Sequence, residues 1–346
     1  MSAPLISIVL TSYNHAEFLR DSIESVLSQT HENIELIISD DASTDGSQDI
    51  IRSYDDPRIR VMLWDKNRRR KNHAQAYYAA KGDFFAIHHS DDLWLPDKLE
   101  KQLKYVQNPR VGAAFTQVQG IDDKGRSITN CLVAPFAVKN MSRHSWLREF
   151  FFNGNRLCHP SVLLRSEFIP LVYPKASSLI QIPDLRGWVR LCKKSEIRVL
   201  PQKLVKFRIH SDNSNLSAFG VDNYIRYQSE MRYLLEEYTS ITDPDELLKI
   251  FPEIEYFLVD GKMDTGFALS QLLLSQKNSG PHLNLGIEML YSILDNPDRA
   301  DFIEKNYNFN AESLRQLVTK HDVYAHRTMH MLQEVVRERE QKTTKA

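Results

Sequence analysis

Cysteine is nearly absent from this chain. Its 346 residues include 3, at Cys131, Cys158 and Cys192. An odd count at wide spacing, with no C-x-x-C, argues against a disulfide framework and against a zinc site. It suits a reducing compartment. Long apolar runs are missing as well. No stretch approaches the roughly 20 apolar residues of a spanning helix. Met1-Ser2-Ala3-Pro4 runs straight into a strand-like segment, without the basic and apolar regions of a signal peptide. Net charge is also lacking. The formal value is -1, so no global field draws the chain to nucleic acid or to an anionic membrane. The expectation is a soluble, cytoplasmic protein with no nucleic-acid partner. Two phosphate-binding signatures are absent too. Thr11-Ser12-Tyr13-Asn14 stands where a G-x-G-x-x-G would follow the first strand, and no G-x-x-x-x-G-K-[ST] occurs. A dinucleotide-binding unit and a P-loop protein are thereby set aside.

What is present is ordinary in bulk and specific in order. Hydrophobic content of 42% and charged content of 26% are those of a globular protein, and the length suits about two domains. Residues 5–10 read as a buried strand, and Asn14 with Glu17 reads as a helix cap of the capping-box type. Phe18, Leu19, Ile23, Val26 and Leu27 form one helical face. Strands at 34–38, 59–64, 83–88 and 111–119 alternate with helices at 72–81 and after Pro96. This alternation predicts a mostly parallel, Rossmann-like α/β sheet flanked by helices. Beyond it lie a helix near 142–152, a strand at 161–165, a helix at 184–193 and a strand at 203–210. After about residue 220 the pattern is helical throughout. The expected domains are 1–219 and an all-α domain, 220–346.

Two acidic pairs close apolar runs: Asp40-Asp41 after Ile34–Ile38, and Asp91-Asp92 after Phe84–Ile87. Ligands of open α/β sheets bind at the carboxyl ends of the strands. Carboxylates there suit a hard divalent cation, Mg²⁺ or Mn²⁺, shared with phosphate oxygens. Both pairs also fit a blander reading, as caps and turns. In the strand at 203–210, Lys206, Arg208 and His210 alternate with Val205, Phe207 and Ile209, which puts three basic side chains on one face.

Taken in order, these blocks resemble family 2 glycosyltransferases of the GT-A fold. The resemblance rests on Ser7–Asn14, Ser25–Thr30, Ser39–Ser47, Ala79–Phe84 and Ser90–Leu99, and it spans about residues 5–215. It implies an inverting, metal-dependent transfer of a sugar from a nucleotide-diphosphate sugar, UDP first, to a hydroxyl of a glycan or lipid-linked acceptor. By position it implies substrate contacts from Thr11, Tyr13, Asn14, Asp40, Asp41, Arg69, Lys71, Asp91 and Arg208. It implies metal ligands at Asp91, Asp92 and His210, and a catalytic base at Asp184. Three departures stand out. His89 occupies the first place of the usual Asp-x-Asp-Asp. Pro183-Asp184 replaces Glu-Asp. The usually Gly-rich loop reads Asn67-Arg68-Arg69-Arg70-Lys71-Asn72-His73. Two other classes compete: a nucleotidyltransferase, which would need a basic Gly-rich loop after the first strand, and a non-catalytic nucleotide-sugar-binding scaffold. Peripheral contact with the inner face of a membrane and a homodimer through the helical domain are roles left open.

Overall fold

The computed structural model describes residues 3–129, 132–211, 220–322, 329–331 and 333–334. Cys131 and the charged tail from Arg337 therefore lie outside the described residues. The chain divides into two compact units, Met1–Tyr227 and Gln228–Ala346.

In the first unit the chain runs β1 (Ile6–Ser12), α1 (Ala16–Leu27), β2 (Ile34–Asp40), α2 (Ser47–Arg52), β3 (Ile59–Leu63), α3 (Arg70–Tyr78) and β4 (Phe84–His89). It continues with β5 (Leu93–Trp94), α4 (Lys98–Val106), β6 (Val111–Ile121) and β7 (Ser127–Ile128). Then come α5 (Arg143–Asn153), β8 (Leu163–Arg165), α6 (Ile169–Val172), α7 (Pro183–Cys192) and β9 (Glu196–Arg208). The sheet order is β3-β2-β1-β4-β8-β6-β9-β5, with β7 beside β6. The long pairings β1–β2, β1–β4, β2–β3 and β6–β9 are parallel. The antiparallel ones are short, as where Phe84–Ala86 meets Leu163–Arg165. The sheet is thus mixed and mostly parallel. Residues 6–10 and 34–40 are buried without a break, because helices cover both faces of a parallel sheet and leave no solvent side. Leu19, Ile23 and Val26 of α1 close over Ile8, Leu10 and Leu36 in one core.

One boundary device differs from the sequence expectation. Asn14 does not cap α1. It adopts a positive φ of 52°, and its side-chain carbonyl accepts from Thr44 N at 2.9 Å. The helix begins at Ala16, whose amide donates to Asp45 Oδ2 at 2.8 Å. The cap comes from the neighbouring loop, so α1 is tied to the end of β2.

In the second unit, α8 (Val221–Thr239), in which the unit boundary falls, is followed by α9 (Pro244–Ile250), α10 (Thr265–Leu274), α11 (Gly280–Leu294), α12 (Pro297–Tyr307) and α13 (Ala311–His321). Phe267, Leu274, Leu283, Ile287, Leu290, Ile293, Ile303 and Leu314 form its core. Among the described residues no helix is long and apolar enough to cross a membrane.

Candidate active site

The strand ends line up because the register is parallel. Thr11 lies opposite Ser39 on one side and His89 on the other, and Ser12 lies opposite Asp40. Asp40 is fully buried. Its carboxylate accepts from Ser43 N at 2.9 Å, Ser43 Oγ at 2.6 Å and Gln48 Nε2 at 3.0 Å. Asp41, also buried, accepts from Arg68 N at 2.9 Å, from Arg69 N at 2.7 Å and from the Asn72 amide. Both acids therefore organise loops: Asp40 its own, Asp41 the basic loop before α3. Among the groups facing outward on this edge are Tyr13, 47% exposed, and the exposed Asn14, Arg68, Arg69 and Lys71.

The second acidic pair is shaped by β9. Its antiparallel pairing with β5 sets Lys206 opposite Leu93 and carries the chain on to Arg208 and His210 beside Asp91-Asp92. Arg208 is buried. Its amide donates to Asp92 Oδ1 at 2.8 Å, its Nε to Asp91 O at 2.8 Å, and its Nη1 to Asp122 O and Asp123 O at 2.7 and 3.0 Å. Its guanidinium also lies 4.4 Å from the Phe18 ring centre. Arg208 thus ties the turn at Asp91-Asp92 to the turn at Asp122-Asp123. His210 sits between two carboxylates, Nε2 to Asp91 Oδ2 at 2.9 Å and Nδ1 to Asp123 Oδ1 at 3.0 Å. His15 Nδ1 meets Ser90 Oγ at 2.8 Å, and its ring centre is 5.8 Å from that of His210. Among the described contacts, no ion pair joins Lys206 to this cluster.

The electrostatics follow from that packing. Burial pushes the Asp91 carboxyl up, but the His210 bond and the fields of His89 and His15 outweigh it and bring the pKa down to about 2. Burial and the charge of Asp91 raise Asp92 to about 6. The Asp91 bond raises His210 against its partial burial. Ligand atoms of His15, Asp91 and His210 lie within 4.8 Å of one another, as do those of His89, Asp91 and Asp92. Asp92 Oδ2 is buried with no hydrogen-bond partner. An orphaned carboxylate oxygen of this kind is what a divalent cation satisfies, so the residues fit a metal.

Asp184 opens α7 just after Pro183, and Asn155 Nδ2 donates to its Oδ2 at 2.7 Å. Burial raises its pKa against that bond. Its charge acts on His89, on Cys158 and on Tyr173, and Arg70 acts on it. It therefore belongs to the same neighbourhood as the end of β4. His73 feels both Asp41 and His89, which joins the first acidic pair to it. His89 itself faces Asp92 across 3.5 Å on one side and His159 across 3.4 Å on the other. His88 points the other way, buried against Ser22.

Sequence reasoning missed His15, Asp123, Asn155, His159 and Tyr173. Asp123 lies in the turn between β6 and β7, and His159 follows the buried Cys158. No spacing along the chain links either one to Asp91 or His89.

The mixed, mostly parallel sheet with acidic strand ends and helices on its faces has the architecture of the GT-A fold. TarS of S. aureus in complex with UDP-GlcNAc superposes with a TM-score of 0.57 at 16% identity, over 88% of this chain and 91% of that one. Residues 7–170 match the sequence profile of Glycosyl transferase family 2, which marks that segment as a domain of this family. An uncharacterized glycosyltransferase of Methanocaldococcus jannaschii is 29% identical over 63% of this chain and 75% of its own. A UDP-Glc:alpha-D-GlcNAc-diphosphoundecaprenol beta-1,3-glucosyltransferase of Escherichia coli is 39% identical over 32% of this chain and 45% of its own.

Proposed function

We propose that this glycosyltransferase is inverting and cation-dependent, and that it moves a hexose from a UDP-sugar to a hydroxyl of a glycan or lipid-linked acceptor. The observation that carries the reading is that a buried carboxylate with a raised pKa, Asp184, and one with a lowered pKa, Asp91, both bear on the charge of His89. Two carboxylates driven apart in pKa within one site mark divided roles. The UDP in the reading is supported by the donors named for TarS and for the E. coli relative.

Asp91, Asp92 and His210 would hold Mg²⁺ or Mn²⁺, which when bound neutralises charge growing on the departing diphosphate. Tyr13 offers an exposed ring to the base. Arg69 and Lys71 offer cationic groups to the diphosphate. Asn155 orients Asp184, which takes the proton of the acceptor hydroxyl as it attacks the anomeric carbon. A single in-line displacement inverts that centre. An acceptor carried on a lipid would bring the protein to a membrane surface, where its contact would be peripheral.

The test is Asp184→Asn in a radiolabelled-sugar transfer assay beside donor-binding calorimetry. Transfer should fall about a thousandfold, while the donor Kd stays within a factor of about two. EDTA should stop the wild type and Mn²⁺ restore it. Parallel loss of donor binding and turnover in Asp184→Asn would remove the assigned role.

A further inference from the structure

Asn155, which donates to Asp184, follows a backbone turn that only glycine makes with ease. Gly154 closes α5 with φ 72° and ψ -151°, a combination confined in practice to glycine. Its amide donates to Phe150 O at 3.2 Å. The turn delivers Asn155 with its side-chain amide fixed at both ends. Oδ1 accepts from Leu157 N at 3.0 Å, so Nδ2 is the end that faces Asp184 Oδ2 at 2.7 Å. Phe150 and Leu157, on either side of the turn, are buried.

The open side of Gly154 is covered from a distant part of the chain. A Cβ placed on it would stand 2.5 Å from the Tyr227 hydroxyl oxygen and 3.7 Å from Tyr227 Cζ. Tyr227 lies in the opening turns of α8, where Val221 and Tyr224 are exposed, and it belongs to the same compact unit as Gly154. We propose that Tyr227 is a positioning residue for Asp184: its phenol seats the Gly154 turn, and the turn holds the Asn155 amide on the carboxylate.

The need for such a seat comes from the glycine itself. Without a Cβ it enters left-handed and right-handed regions about equally, so its surroundings decide which one persists. The bond to Phe150 restrains one side of the turn, and Tyr227 fills the other. Among the described residues no hydrogen bond engages the Tyr227 hydroxyl, so it acts by occupying space. The chemical consequence falls on Asp184. Burial raises its pKa and the Asn155 bond opposes that rise. The charged and titratable groups that also face it are Arg70 of α3, which favours the carboxylate, His89 at the end of β4, Cys158 and Tyr173. None of them lies on the turn. Loosening the turn therefore costs Asp184 the Asn155 bond and lets its pKa climb. The effect on transfer rests on the reading of Asp184 as the base. The link between Tyr227 and Asp184 does not.

A carboxyl titration tests the link directly. The protein is labelled with ¹³C-aspartate and kept cation-free, and the Asp184 signal is assigned through Asp184→Asn. Asn155→Ala and Tyr227→Ala should each move the Asp184 midpoint upwards. The double variant should move it no further than Asn155→Ala does, because both act through one bond. In the transfer assay Tyr227→Ala should lower kcat at neutral pH about tenfold, displace the acid limb of the pH profile upwards, and leave the donor Kd within about twofold. An unmoved midpoint in Tyr227→Ala, or additive shifts in the double variant, overturns the inference. Urea unfolding adds a test of the contact itself. Tyr227→Phe leaves a Cβ on residue 154 an ordinary 3.7 Å contact, so Gly154→Ala should be less destabilising in that background than in the wild type. Equal losses in the two backgrounds would mean that Tyr227 does not seat the turn. Transfer retained by Asp184→Asn would remove the base assignment, and the carboxyl titration would still decide the role of Tyr227.

Discussion

Three strained residues lie in the loops at the strand ends. Asn14, Ala42 and Arg69 adopt positive φ values of 52°, 65° and 46°, where a Cβ crowds the backbone. Each is clamped by polar bonds. Asn14 is held by Ser43 and Thr44, Ala42 lies between Asp40 and the Ser43 that Asp40 binds, and Arg69 is held by Asp41. Strain of this kind persists where surrounding bonds over-determine the conformation. Glycine removes the clash at Ala42 without touching any of these bonds. Ala42→Gly should therefore stabilise the protein by about 1 kcal/mol, measured by urea unfolding. A destabilised variant would mean that unfolded-chain entropy outweighs the left-handed turn. Asp41→Ala should act in the opposite sense. It removes the acceptor of the Arg68 amide and of the Asn72 side chain and leaves the Arg69 amide only its longer bond to Asn67 Oδ1, which costs about 3 kcal/mol and loosens the basic loop.

At the scale of elements, Arg208 decides how β9 meets the rest of the site. Its fork joins the turn after β4 to the turn after β6 through three carbonyls, and it aims His210 two residues on. Lysine has no fork. Arg208→Lys should cost about 2 kcal/mol in denaturant unfolding and should weaken Mn²⁺ binding through His210. Unchanged unfolding would show the fork to be redundant. The sequence made much of this sheet legible. β1 and β2 stand out as unbroken apolar runs, because a parallel strand is covered on both faces. The acids at their ends were visible because charge is costly beside such runs. β8, Leu163–Arg165, falls within the strand expected at 161–165, but its place between β4 and β6 is a tertiary choice. β9 begins at Glu196, earlier than its alternation suggests, since Pro201, Gln202 and Lys203 are exposed and break the pattern. Lys206, Arg208 and His210 do alternate, yet period two cannot reveal that Arg208 is spent on carbonyls while His210 reaches Asp91. The tie between His89 and Tyr173, through His159, spans 84 positions and leaves no local trace.

Over the whole molecule a formal charge of -1 hides a site that concentrates acid, and pH exposes it. The depressed carboxyl of Asp91 contributes stability above its unfolded value of 3.8, and loses it as pH falls towards about 2. Asp92, raised to about 6, acts in the other sense: its contribution is complete below 3.8 and is lost as pH climbs through about 6. His210 is raised above 6.5 and likewise loses its contribution as pH rises further. The cation-free protein should accordingly be most stable in mildly acid solution and soften from about pH 6 upwards. A divalent cation needs Asp92 ionised and His210 neutral, so it binds the form that prevails as stability declines. Thermal shift by Mn²⁺ with UDP should therefore be larger at pH 8 than at pH 6. Calorimetry refines the expectation. The sheet unit and the helical unit each hold a core of their own, and the cation with UDP should move the transition of the first, Met1–Tyr227, and leave that of the second in place. A shift larger at pH 6 would reverse the assigned protonation states, and equal movement of both transitions would mean that the helical unit takes part in donor binding.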